Sequence, residues 1–304
     1  MLRLGIVDFD SSHCIEFTRR FNHVGISPDQ WVDGARIVAG WPGTSDMAPE
    51  RIPGFREQMV AAGVPLVDDP AQLIGQVDGV LVLSLCGAAH LERARPFLAA
   101  GVPTYVDKPF ACILADTLEL LQLAQSTGTA MAYGSGLRFS DDVADLRMTV
   151  KRSGSLLGVL TCGPAKRSPM NPGLFHYGIH AVEVLYSLMG PGCTEVTTTW
   201  SVDAEVVTGR WGDGRLASVR GARRGATAYS VTAFCDQAVL HQQISTRFAY
   251  RNLCREIVHA LGTKTSLVPH VEIEEVVRFV LAAQRSETSD GCPVSLQDSA
   301  LLSA

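Results

Sequence analysis

Residues 1–134 alternate short apolar runs with amphipathic stretches, and a parallel, doubly wound sheet is the fold that accommodates this alternation. Strand-like runs fall at 2–7, 35–40, 64–67, 79–83, 102–106 and 130–133, and helical stretches at 13–23, 57–62, 90–100 and 114–127. The run Gly79-Val80-Leu81-Val82-Leu83 is apolar on both faces, as a parallel strand buried between helix layers should be. Gly101 and Gly128 close two of the helices. In open sheets of this kind ligands bind outside the carboxyl ends of the strands. The loops after Val7, Gly40, Leu83 and Val106 should therefore line one site, with Asp8, Asp10, Ser11, Ser12, His13, Trp41, Leu85, His90 and Asp107 as its candidate contacts.

The pattern then changes. Runs at 156–162, 196–202, 205–211, 216–221 and 229–235 are strand-like, several alternate, and Gly212-Asp213-Gly214 is a hairpin turn between two of them. Helices are expected at 176–189, 252–261 and 272–285, the first broken sharply by Gly190-Pro191-Gly192. The chain thus reads as a Rossmann-type α/β domain, 1–134, followed by an α+β domain, 135–304, with a large, mostly antiparallel open-faced sheet. A C-terminal helix could pack back toward the first domain. Hydrophobic residues make up 46% and charged residues 19% of the chain, a globular balance. The net charge of −5 supplies no basic field for nucleic acid or an anionic membrane, so a small-molecule partner is expected. No uncharged apolar run approaches the roughly 18 residues of a membrane span. Eight scattered cysteines, with no CxxC pair, point to a reducing, cytoplasmic setting and no structural zinc.

Five short motifs in order resemble the Gfo/Idh/MocA family. Val106-Asp107-Lys108-Pro109 is similar to its Glu-Lys-Pro motif, with Asp in place of Glu. Residues 83–90, with Glu92 and Ala94, resemble its preceding strand-loop-helix, and Gly136-Leu137-Arg138-Phe139 its domain junction. The run from Gly178-Ile179-His180-Ala181-Val182-Glu183 to Leu188-Met189-Gly190 looks like the helix carrying its catalytic histidine. Residues 286–296, with Gly291-Cys292-Pro293-Val294, resemble its closing segment. The resemblance implies hydride transfer between NAD or NADP and a sugar-, cyclitol- or polyol-like molecule. It also implies a homodimer or homotetramer formed through the second domain's sheet.

Lysine is scarce: only Lys108, Lys151, Lys166 and Lys264 occur. Lys108 follows a buried strand, so its amine can hold a substrate hydroxyl and favour ionisation; the resemblance gives the matching lysine this kind of work. His176, His180 and Glu183 are spaced to share one helix face. A neutral imidazole accepts an alcohol proton near pH 7, and a carboxylate one turn away can orient it. By motif register His180 is the general acid/base, while His176 stands where the family usually has aspartate. No acidic third ligand accompanies the histidines, so no metal is expected. Arg138, Lys166 and Tyr177 are candidates to line the substrate pocket.

The turn after the first strand departs from the dinucleotide fingerprint. Its three glycine positions are Asp8, Asp10 and His13. Two carboxylates facing a pyrophosphate would each cost roughly 3 kcal/mol at about 5 Å and an effective dielectric near 20. Ser11, Ser12 and a protonated His13 at a helix N-terminus would favour an anion. Three functions stay open: an NAD(P)-dependent oxidoreductase; a lyase, isomerase or cyclase using the same acid/base pair without dinucleotide; and a non-catalytic binding subunit.

Overall fold

The computed structural model describes residues 1–303. In the first half, strands β1 (Leu2–Val7), β2 (Ala35–Trp41), β3 (Gly79–Val82), β4 (Thr104–Val106) and β5 (Met131–Tyr133) form one sheet in the order β2-β1-β3-β4-β5. Every pairing in it is parallel. Helices α1 (His13–Asn22), α2 (Ile52–Ala61), α3 (His90–Ala99) and α4 (Leu114–Thr127) alternate with these strands. Because β1 is flanked by β2 on one side and β3 on the other, the chain reverses its winding there, and the loops after β1, β2 and β3 diverge from one crevice. The expected strand at 64–67 is reduced to a single bridge between Gly40 and Leu66. Pro65 has no N–H to give, so only its carbonyl joins the edge, accepting from Gly40 N at 2.9 Å.

Helix α5 (Asp141–Val150) precedes the second sheet. Strands β6 (Leu156–Pro164), β7 (Cys193–Trp200), β8 (Ala204–Trp211), β9 (Leu216–Ala222), β10 (Ser230–Cys235), β11 (Val239–Gln243) and β12 (Val294–Ser295) run in the order β11-β10-β6-β9-β8-β7-β12. Only β6 and β9 pair in parallel. Helices α6 (Ile179–Met189) and α8 (His270–Thr288) cover one face of this sheet through Val182, Leu185, Ile273, Val276 and Phe279. The opposite face leaves Leu160, Val206, Leu216 and Phe234 exposed.

The chain divides into two compact units, and neither is continuous. One comprises 1–111, 116–134 and 250–269, the other 112–115, 135–249 and 270–304. A linear division at 134/135 therefore misassigns helix α7 (Ala249–Thr263), all but its first residue belonging to the parallel-sheet unit. The reason is its apolar stripe of Leu253, Cys254, Ile257, Ala260 and Leu261, all buried. Leu261 packs over Gly79, where an added Cβ would stand 3.1 Å from Leu261 Cδ1, and Val258 fills the space beside Gly34. Among the described residues no helix is long and apolar enough to cross a membrane.

Candidate active site

In the parallel-sheet unit, Lys108 sits directly after β4 and is half-buried; the Lys108–Pro109 peptide is cis. Asp107 before it is almost fully buried. Its Oδ2 lies 2.5 Å from His13 Nδ1, and its Oδ1 accepts from the Tyr105 hydroxyl at 3.1 Å. Burial alone would raise the Asp107 carboxyl, but His13 and Lys108 outweigh it and hold the group well below the usual carboxylate range. His13 and Asp107, expected as cofactor contacts, thus spend their side chains on each other.

The β1–α1 turn keeps the backbone of a glycine turn without the glycine. Asp8 adopts φ +69°, the left-handed conformation glycine normally supplies at the first fingerprint position. Its carboxylate accepts from Ser84 Oγ and, at 3.2 Å, from Arg93 Nε. Asp10 accepts from Ser45 Oγ at 2.7 Å and from the Leu85 N–H at 3.0 Å. Both acids are buried and turned into the protein, so the anticipated repulsion of a facing anion does not arise in that form. Room for them comes from the end of β2: an added Cβ on Gly43 would overlap the Asp8 carboxylate, and one on Gly40 would lie 2.7 Å from Phe9 Cζ. Ser12 remains partly exposed at the start of α1 and its side chain caps no N–H there; the His13 N–H donates to Ser11 Oγ and the Cys14 N–H to the Ser11 carbonyl, each at 3.3 Å. Trp41 is also partly exposed and stacks against the Arg93 guanidinium, 5.0 Å from the ring centre.

Asp8 Oδ1 has no hydrogen-bond partner, and burial pushes the carboxyl up to about 6 despite Ser84 and Arg93, with Asp10 adding to the rise. A carboxyl whose folded pKa exceeds its ordinary value destabilises the fold wherever it must ionise. Asp8 thus lowers stability above about pH 6, by about 3 kcal/mol, and the loss fades as the pH falls toward 4. Asp8→Asn is expected to raise the unfolding free energy by about 1–3 kcal/mol at pH 8 and to match the parent at pH 4. Urea denaturation at the two pH values checks this; an equal gain at both would refute the ionisation account.

His90 does not reach a ligand. It is completely buried, with Nδ1 3.1 Å from the Phe110 carbonyl and Nε2 2.9 Å from that of Ser84, and burial pushes its pKa below the ordinary range. It ties the β3 and β4 loops together.

In the other unit, His180 lies in the first turn of α6, partly exposed, with Nδ1 2.7 Å from Ser135 Oγ. The Tyr229 ring meets it edge-on at 5.9 Å, in space that Gly163 leaves open. Two expectations are corrected here. His176 does not share the α6 face: the helix begins at Ile179, after a separate short turn at Gly173–Phe175. The backbone leaves helical geometry at His176 itself, with φ −72° and ψ −80°, and Gly178, already helical, packs directly on Leu174, where a Cβ would clash. Glu183, on α6, is fully buried and pairs with Arg138 at 3.2 Å, while Arg138 also holds Glu272. Arg138 is therefore a buried cation between two acids rather than a substrate contact. Burial works against its charge, and the two glutamates more than offset it. Lys166 and Tyr177 are exposed.

Among solved structures the chain matches scyllo-inositol dehydrogenase from Lactobacillus casei with bound NAD(H) and scyllo-inositol, at TM-score 0.80 and 14% identity, over 97% of this chain and 99% of that one. It matches a myo-inositol dehydrogenase from Corynebacterium glutamicum at TM-score 0.80 and 15% identity, over 98% and 100%. The fold is that of the Gfo/Idh/MocA dehydrogenases. By sequence, inositol 2-dehydrogenase from Cereibacter sphaeroides is 26% identical over 197 residues, 62% of this chain and 54% of that protein. The chain spans about half the length of the curated relatives it matches. No protein-family model matches it.

Within this Gfo/Idh/MocA fold several residues at the two groups escaped sequence reasoning. Ser135 immediately precedes the junction motif, and that adjacency was an available signal. Arg93, three residues beyond His90 on α3, could have been read as facing the same strand ends. Tyr250, whose hydroxyl lies 3.2 Å from His13 Nε2, is 237 residues away and carries no local signal.

Proposed function

We propose that this chain is an NAD(P)-dependent oxidoreductase that interconverts an alcohol and a carbonyl on a sugar-, cyclitol- or polyol-like molecule. The observation that carries the reading is Lys108: a scarce amine at the carboxyl end of a buried parallel strand, backed by a buried anion, in a fold whose solved relatives include inositol dehydrogenases. The dinucleotide, when bound, supplies the hydride donor or acceptor. The Ser12 hydroxyl and the positive end of the α1 dipole suit its pyrophosphate, now that Asp8 and Asp10 face inward; Trp41 with Arg93 suits the adenine face, and Leu85 borders the same crevice. Lys108 hydrogen-bonds the substrate hydroxyl and favours the alkoxide. His180 takes the proton at Nε2, its ring held by the hydrogen bond between Nδ1 and Ser135 Oγ. Lys166 and Tyr177 are the substrate contacts this reading retains. The free thiols of the eight cysteines suit work in the cytoplasm.

Titration with NAD(H) and NADP(H), followed by nicotinamide fluorescence, is expected to show saturable binding of one of them. Native mass spectrometry of the purified protein checks for a retained dinucleotide. A second reading, a lyase, isomerase or cyclase without dinucleotide, is favoured by one observation: Asp8 and Phe9 fill the space beside β2 where glycines 40 and 43 give way. Failure to bind either dinucleotide, with turnover by dinucleotide-free protein, would select it.

The uncovered face of the second sheet suits a second copy of this chain, since Leu160, Phe234, Leu216 and Val206 lie exposed on adjoining strands. Native mass spectrometry is expected to show a dimer or tetramer that Phe234→Asp dissociates. A monomeric parent protein would refute this assembly.

A further inference from the structure

We infer that His13 is a positioning residue for Lys108, acting through the Asp107 carboxylate that it holds at 2.5 Å while Tyr250 closes its other ring nitrogen at 3.2 Å. The inference rests on Lys108 being the proton-handling amine. It joins two departures that the sequence presents separately, histidine at the third fingerprint position and aspartate before the lysine, into one pair.

The geometry makes the pair a unit. Both side chains are nearly fully buried, His13 stacks on Phe17 at 5.1 Å, and the Tyr250 ring meets it edge-on at 4.9 Å. The second carboxylate oxygen of Asp107 faces the Tyr105 hydroxyl, whose single proton is shared between it and the Gly134 carbonyl at 3.0 Å. A carboxylate this buried keeps its charge only beside a cationic or donating partner. His13 supplies it, and the resulting fixed anion sits one residue from the Lys108 amine. The other ionisable groups around the pair are Tyr105 and Tyr133 on the sheet, His90 on α3, Arg20 and Glu16 on α1, and Tyr250 and Cys254 on α7. Removing the imidazole leaves Lys108 as the nearest cation to Asp107, and the ammonium then holds its proton more tightly.

Four lysines make this directly measurable. Reductive methylation with 13C-formaldehyde labels Lys108, Lys151, Lys166 and Lys264, and a Lys108→Arg sample assigns the Lys108 signal. In His13→Gln the Lys108 midpoint is expected to rise by about half a pH unit or more. In Asp107→Asn it is expected to fall, and in the double variant to match Asp107→Asn, because His13 acts only through the acid. Unmoved midpoints of the other three lysines show that the fold is intact. Tyr250→Phe, a milder change, is expected to move Lys108 in the same direction as His13→Gln by less, and it decides the matter should His13→Gln fail to fold. A Lys108 midpoint unchanged by these substitutions, or a His13 effect that persists in the Asp107→Asn background, overturns the inference. The titration needs neither substrate nor dinucleotide, so it fails independently of the oxidoreductase reading.

Discussion

On the proposed function, Lys108→Met is expected to lower turnover on a polyol substrate by about 10²–10⁴-fold and to leave dinucleotide affinity unchanged. Methionine keeps the length and apolar stem of lysine while deleting the amine, so strand β4 and the buried Asp107 stay in place. The loss falls on the proton step, because the ammonium's hydrogen bond to the substrate oxygen strengthens as alkoxide character develops. His180→Gln is expected to cost a comparable factor. Steady-state kinetics over a panel of inositols, sugars and polyols, with dinucleotide binding measured in parallel, checks both. Full activity in Lys108→Met would remove the amine from the chemistry while leaving the fold assignment standing.

The largest effect on stability is expected from Arg138→Met. The guanidinium is buried with Glu183 and Glu272, and its removal takes the Arg138 charge from two carboxylates that lie out of water. Breaking a buried ion cluster from one side costs about 3–5 kcal/mol. The triple change Arg138→Met, Glu183→Gln and Glu272→Gln discharges the whole cluster and is expected to recover most of that loss. Denaturant unfolding reads both. Unchanged stability in Arg138→Met, with weakened substrate binding instead, would return Arg138 to the ligand-contact role that its motif suggests.

The legible parts of the chain were those governed by local rules. The strand at 79–83 and the lysine behind β4 stand out because burial on both faces and a strand-end position leave marks in a few consecutive residues. The Arg138 cluster left none: Glu272 is 134 residues from Arg138, and nothing near either of them announces the pair. His176 was misplaced for a related reason. A four-residue spacing suggests a shared helix face only if the helix runs through it, and the backbone at His176 is itself non-helical, with α6 starting at Ile179. Asp8 and Asp10 were legible as missing glycines but not as inward-facing acids, because Arg93, Ser84 and Ser45 come from other loops.

Gly43 has φ +70° and gives its side-chain volume to Asp8. A left-handed position is strained for most side chains, Asp and Asn being the readiest exceptions, so replacing Asp8, Asp10 and His13 by glycine would open a hollow that the end of β2 is poorly placed to plug. The acidic turn and the glycine-bearing β2 edge are interlocked, and a protein engineer wishing to install an ordinary nucleotide loop would have to transplant both segments together.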